Sequence, residues 1–178
     1  IAAAATGYVQ HIDAARLDAL AKAHGLTLHL AALPGAFVHP GRLLVAVDGA
    51  VDDALRDRIL AAFVVGDRRS FDDDPRFGLI VLAEVAQRAL SPAVNDPGTA
   101  VDVIGTLVRV LGLWDARRAA APAAGIYPHL RVPGLSAEDL LADAFDPIAR
   151  DGASDVTIGL RLQKALAVLA DLGSPAIR

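Results

Sequence analysis

Residues 88–100 read Arg-Ala-Leu-Ser-Pro-Ala-Val-Asn-Asp-Pro-Gly-Thr-Ala, and the fold turns on how this stretch separates the apolar runs on either side of it. Ser91-Pro92 stops a helix, because proline disfavours the α conformation in the residue before it. Asn95 or Asp96 then caps a second helix, with Pro97 in its first turn, where a missing N–H leaves no bond unmade. Two helices therefore meet at a polar corner.

The pattern stays helical in both directions from that corner. Upstream, Asp74-Pro75 starts a helix whose Phe77, Ile80, Val81, Leu82, Val85 and Leu90 make a broad apolar face, with Glu84, Gln87 and Arg88 on the other side. Downstream, Pro97 to about Trp114 is apolar nearly all round, which places it at the centre of the helical half or in a subunit interface. Ala116 to Gly125 is the linker candidate, and Tyr127 to Val132 reads as a short edge strand ended by Pro133-Gly134. Ser136 opens a further helix, with Leu140, Leu141 and Phe145 inward. Asp146-Pro147 repeats the aspartate-plus-proline start seen at Asp74 and Asp96. The last helix runs from about Asp155 to Leu172, carries Ile158, Leu162, Leu166, Leu169 and Leu172 inward, and ends at Gly173 before Pro175.

The first third has a different character. Gly7 to Ile12 is a strand, Asp13 caps a helix through His24, Gly25 ends it, and Leu26 to Leu33 is a second strand. That order is βαβ, whose crossover favours parallel pairing within one sheet. Pro34-Gly35 and Pro40-Gly41 are turns around the short strand Ala36 to His39, and Leu43 to Val47 is another strand. Asp52 to Ala62 is a charged, exposed helix leading into the strand-like run Ala62 to Val65. The fold class is therefore α+β: a small βαβ-type sheet followed by a helical half of four or more helices. The expected division is a βαββ-like sheet subdomain over 1–66 and a helical subdomain over 67–178, joined in one compact unit.

Composition excludes several functions. The net charge is −4 and the basic residues are scattered, so there is no stripe for a phosphate backbone and no nucleic-acid partner is expected. The chain has no cysteine, which removes thiol chemistry, cysteine metal sites and disulfides. Mean hydropathy is high at +0.43. Even so, the longest apolar run, Ala100 to Trp114, carries Asp102 and Arg109 and falls short of the roughly 20 residues that a bilayer span requires. It reads as a core helix. The chain has neither an initiator methionine nor a signal peptide at its start, and reads as a piece of something longer.

Candidate chemistry is sparse. Arg88, Ser91, Asn95, Asp96 and Thr99 at the corner, with Arg69 from the charged loop 66–75, could hold a small molecule or anion against helix-start amides. The competing role for those groups is capping. Asp72, Asp73 and Asp74 could bind a hard cation, but Asp74 is better read as a helix cap. His11, His24, His29, His39 and His129 lack metal-ligand spacing. No phosphate-binding glycine loop, nucleophile elbow or cofactor motif is present, and no cofactor is expected.

The segments GYVQHID (7–13), LPGAFVHPGRLL (33–44), DPRFGL (74–79), ALSPAVNDPGTA (89–100) and DLLADAFDPIARDGA (139–153) occur in that order. Together they resemble the bacterial membrane protein family called domain of unknown function 2254, over nearly the whole chain. Where the family string usually reads SPGINDP, Ala93 and Val94 stand here, and Gly98 takes a position commonly held by a bulkier residue. The resemblance implies the soluble part of a protein located at the cell membrane, whose N-terminal transmembrane helices would be its partner; a cytoplasmic side for this domain is expected from the bacterial setting and the lack of an export signal in the sequence. It carries over no activity. The leading expectation is a non-enzymatic regulatory, ligand-sensing or assembly domain that forms a homo-oligomer through its apolar helices. The alternatives are an Asp-centred hydrolase or anion-binding enzyme, and a small-molecule binding module at Phe37 to Gly41.

Overall fold

The computed structural model describes residues 1–120 and 126–172. Their order is β1 (Gly7–Ile12), α1 (Ala14–His24), β2 (Thr27–Leu30), β3 (Phe37–Val38), β4 (Val45–Asp48), α2 (Asp53–Leu60), β5 (Phe63–Gly66), α3 (Pro75–Leu90), α4 (Pro97–Ala120), β6 (Leu130–Arg131), α5 (Ala137–Asp151) and α6 (Val156–Leu172). The class is α+β. Local signals fix many of these ends: Asp13 accepts from the Arg16 amide at 2.9 Å to open α1, and Gly25 closes it in the left-handed region at φ 64°.

The strands pair differently from a βαβ unit. β1 and β2 lie in separate three-stranded sheets, ordered β3-β1-β5 and β4-β2-β6. β1 is antiparallel to both neighbours, β2 is antiparallel to β4, and the parallel partner of β2 is β6. Glycines help decide the β1–β5 pairing. A Cβ on Gly7 would stand 2.6 Å from the Gly66 carbonyl oxygen, and one on Gly66 would run into the Gln10 side chain. At Gly7 the two backbones approach this closely because the residue has no side chain, and the bare Gly66 leaves room for the Gln10 side chain. β6 falls inside the expected edge strand and does sit at a sheet edge.

The chain forms two compact units. The first runs from Ile1 through Phe77, beyond the division expected after residue 66, and also takes in β6 up to Gly134. Its core gathers Val9, Leu17, Leu28, Val38, Leu44 and Ile59 from both sheets, α1 and α2. The second unit holds α3 from Gly78 onward, α4, α5 and α6. Its core is built on Leu107, Leu111, Leu140, Ile148, Ile158 and Leu169.

Four expectations in the helical half need correcting. The buried side of α3 is Leu79, Ala83, Ala86 and Ala89, whereas Val85 is 45% exposed and the other large apolar residues are half-buried. The small residues, not the large ones, therefore mark the fully buried side of this helix. α4 continues to Ala120, so residues 116–120 of the expected linker are helix, and the remainder of it lies outside the described residues. Asp146-Pro147 lies inside α5. The apolar stripe Leu140, Ala144, Ile148 stays in helical phase across the proline, and burying Ile148 outweighs the bond that Pro147 cannot give the Asp143 carbonyl. On α6 the inward residues are Ile158, Leu162, Ala165 and Leu169, leaving Leu166 at 46% and Leu172 at 77% exposure. The expected stop at Gly173 lies outside the described residues.

Candidate functional site

The corner between α3 and α4 is assembled by local hydrogen bonds. Ser91 Oγ donates to the Arg88 carbonyl at 2.7 Å, and the Ser91 carbonyl accepts from the Val94 and Asn95 amides. Asn95 takes a left-handed backbone at φ 49°, a conformation that asparagine tolerates better than most residues. The Asp96 amide donates back to the Ala89 carbonyl at 2.8 Å, fastening the start of α4 to the end of α3. The Asp96 carboxylate accepts from the Thr99 hydroxyl at 2.6 Å and the Thr99 amide at 3.1 Å. Those bonds, the hydroxyl first, hold the Asp96 carboxyl below the usual carboxylate range. Of the six expected site residues, Ser91, Asn95, Asp96 and Thr99 are thus brought together as one turn, with Arg88 exposed at its edge. The two residues that the cap at Asp96 did not require, Ser91 and Asn95, supply the turn's bonds and its backbone reversal.

Arg69 belongs to the first unit and has a different task. Its Nε and Nη2 donate to the two oxygens of Asp74 at 2.7 and 2.9 Å, and Asp74 is only 3% exposed. The same carboxylate accepts from the Phe77 amide at the start of α3. The Arg69 guanidinium also lies over the Phe77 ring, on which Phe71 stacks. Gly35, at φ 89°, sits against this pair so closely that a Cβ there would collide with the Asp74 carboxylate. The other two aspartates of the loop have separate partners: Asp72 accepts from Ser70, and Asp73 pairs with His11. The three carboxylates therefore do not converge, and among the described residues no group of three or more acids and histidines could hold a metal. His29 and His129 also pair with aspartates, Asp48 and Asp18.

The surface least explained by its own fold is the outer side of α6. Val156 is 76% exposed and Leu160 52%, both opposite the buried residues of the same helix. A groove of about 450 Å³ runs on the α5 side of α6, with Leu141, Phe145 and Leu166 on its floor and Glu138 and Asp146 at its rim. A smaller groove of about 180 Å³ on the α4 side is lined by Val101, Gly105, Val108 and Val168 and carries Arg161 and Lys164. The sequence held a signal for this surface that a single apolar period hides: α6 has valine and leucine on two faces, not one.

Comparison with known proteins gives a family without an activity. The family described as "Predicted membrane protein (DUF2254)" matches residues 1–168. An uncharacterized protein of Mycobacterium bovis and one of Mycobacterium tuberculosis are each 35% identical over 118 residues. The match takes in 63% of this chain but only 23% of each relative's length. No solved structure matches significantly. Among the described residues, no helix is long and apolar enough to cross a membrane.

Proposed function

The chain belongs to this family of predicted membrane proteins, and on that premise we propose that it is a non-enzymatic assembly module, the soluble part of a multi-pass membrane protein. The observation that carries the reading is the outward apolar row on α6, Val156 and Leu160, flanked by Leu166 and Val168. Burying such side chains favours association by roughly 25 cal/mol per Å² of apolar surface. Assembly is favoured over the regulatory and ligand-sensing versions because the polar groups of the α3–α4 corner are engaged in building the turn itself. It is favoured over an Asp-centred hydrolase because Asp72, Asp73 and Asp74 each answer a different partner. Placement on the cytoplasmic side goes with the same proposal, and reporter fusions to the full-length protein decide it.

Light scattering of the chain over a range of concentrations tests the central point. Self-association that Leu160→Asp abolishes, with the circular dichroism unchanged, is the expected result. A wild-type chain that stays monomeric at every concentration overturns it.

A further inference from the structure

Resting on that assembly reading, we infer that the partner at α6 is a second copy of this chain, docked about a two-fold axis along the helix so that the two α6 helices run parallel. With Ile158, Leu162, Ala165 and Leu169 facing the core, helical periodicity of 100° per residue puts Val156, Leu160, Gln163, Ala167 and Ala170 on the opposite side. Their spacing, alternately four and three residues, is that of a coiled-coil seam with one polar position in it. Val156, Leu160, Gln163 and Ala167 are all exposed. A 17-residue helix is about 25 Å long. A groove lies on each side of it, so the face is broader than the helix alone.

Packing along such a seam admits either direction, and charge decides between them. The α5 flank of the seam is acidic, with Glu138 and Asp146, and the α4 flank is basic, with Arg161 and Lys164. α4 adds the exposed pair Asp102 and Arg109, one of each sign, and Asp171, the one acid in α6, lies two turns beyond Lys164. A two-fold axis parallel to α6 lays the acidic flank of each copy on the basic flank of the other, twice over. An axis perpendicular to α6, which makes the helices antiparallel, sets acid against acid and base against base. Like charges brought together at an interface oppose that arrangement, so the parallel pair is selected. The roomier groove, at about 450 Å³, lies on the acidic side, where the long side chains of the partner's Arg161 and Lys164 have to fit.

The chain lacks cysteine, so introduced thiols report on this contact alone. In the parallel pair Leu160→Cys and Ala167→Cys each form a disulfide with the same position of the partner on mild oxidation. An antiparallel pair centred between Gln163 and Lys164 sets position 160 against position 167 and cross-links only when the two variants are mixed. Cross-linking confined to the mixture overturns the parallel arrangement and leaves assembly standing. A monomer that does not cross-link removes both readings, and a monomer that floats with vesicles of anionic lipid assigns the face to a membrane surface instead. A charge exchange gives a second measurement at exposed positions that the fold does not need. Lys164→Glu should weaken self-association about five-fold or more, and mixing it with Asp146→Lys should restore pairing. No recovery in the mixture counts against flank complementarity.

Discussion

The two units solve the same problem with opposite materials. In the first, short strands of two to six residues cannot bury much each, and specific polar contacts tie the loops down. The half-buried Arg69 holds the buried Asp74 beside Gly35, and three histidines are paired with aspartates. In the second, long helices bury alanine and leucine stripes, and the corner between α3 and α4 is fastened by exposed, short-range bonds. The contrast predicts where each unit breaks. Removing a charge should hurt the first most, and removing volume should hurt the second most.

The largest effect is expected at Asp74. Asp74→Ala leaves Arg69 without its carboxylate and uncaps α3, and should cost about 3–5 kcal/mol in denaturant unfolding. A loss of no more than about 1 kcal/mol, the value of an exposed pair, would erase the contrast. In the second unit Leu107→Ala, at a fully buried position in α4, should cost about 2–5 kcal/mol. Trp114, the one tryptophan, lies in the same helix and makes the loss readable by fluorescence. Next in size, Gly35→Ala should cost about 1–3 kcal/mol, from its positive φ and the displaced carboxylate. Combining it with Asp74→Ala should cost less than the sum, because the two act on one contact.

The smallest effect is expected at the exposed corner. The hydrogen bonds to Asp96 depress its pKa in the folded state. Their stabilisation is therefore present above the usual carboxylate range and fades as the pH falls through the depressed value. Asp96→Asn keeps a capping side chain, so stability at neutral pH should barely change while the fall in stability on acidification becomes shallower. An acid limb identical to wild type would show that the exposed cap contributes nothing measurable.

What could be read from the sequence follows the range of the forces involved. The ends of α1 were legible because Asp13 and Gly25 act within a few residues of themselves, and the starts of α3 and α4 were legible from Asp74-Pro75 and Asp96-Pro97. Pro147 misled because the same dipeptide lies in phase with a stripe of buried residues, and a tertiary contact overrides a local stop signal. The partners of β1 were not legible at all. Alternation shows which face of a strand is buried but not which strand lies beside it, and the close approach at Gly7 and Gly66 exists only once both are in place. At the corner, the residue types marked a turn between two helices, and the structure shows Ser91 and Asn95 building it, through a bond to the Arg88 carbonyl and a left-handed backbone. The Arg69–Asp74 pair needed a loop closure that spacing alone does not specify.

The parallel pairing of β2 with β6 also has a consequence in time. Leu28 and His29 align with Leu130 and Arg131, and the Leu28 amide donates to the His129 carbonyl. About 100 residues separate these partners along the chain, and a ribosome adding roughly 5–20 residues per second needs about 5–20 s to make them. Until then one side of β2 has no strand to pair with, so the first unit, though begun first, must finish after α4 has been made. During that interval the nascent chain exposes a strand edge of the kind that chaperones cover and misfolded neighbours exploit.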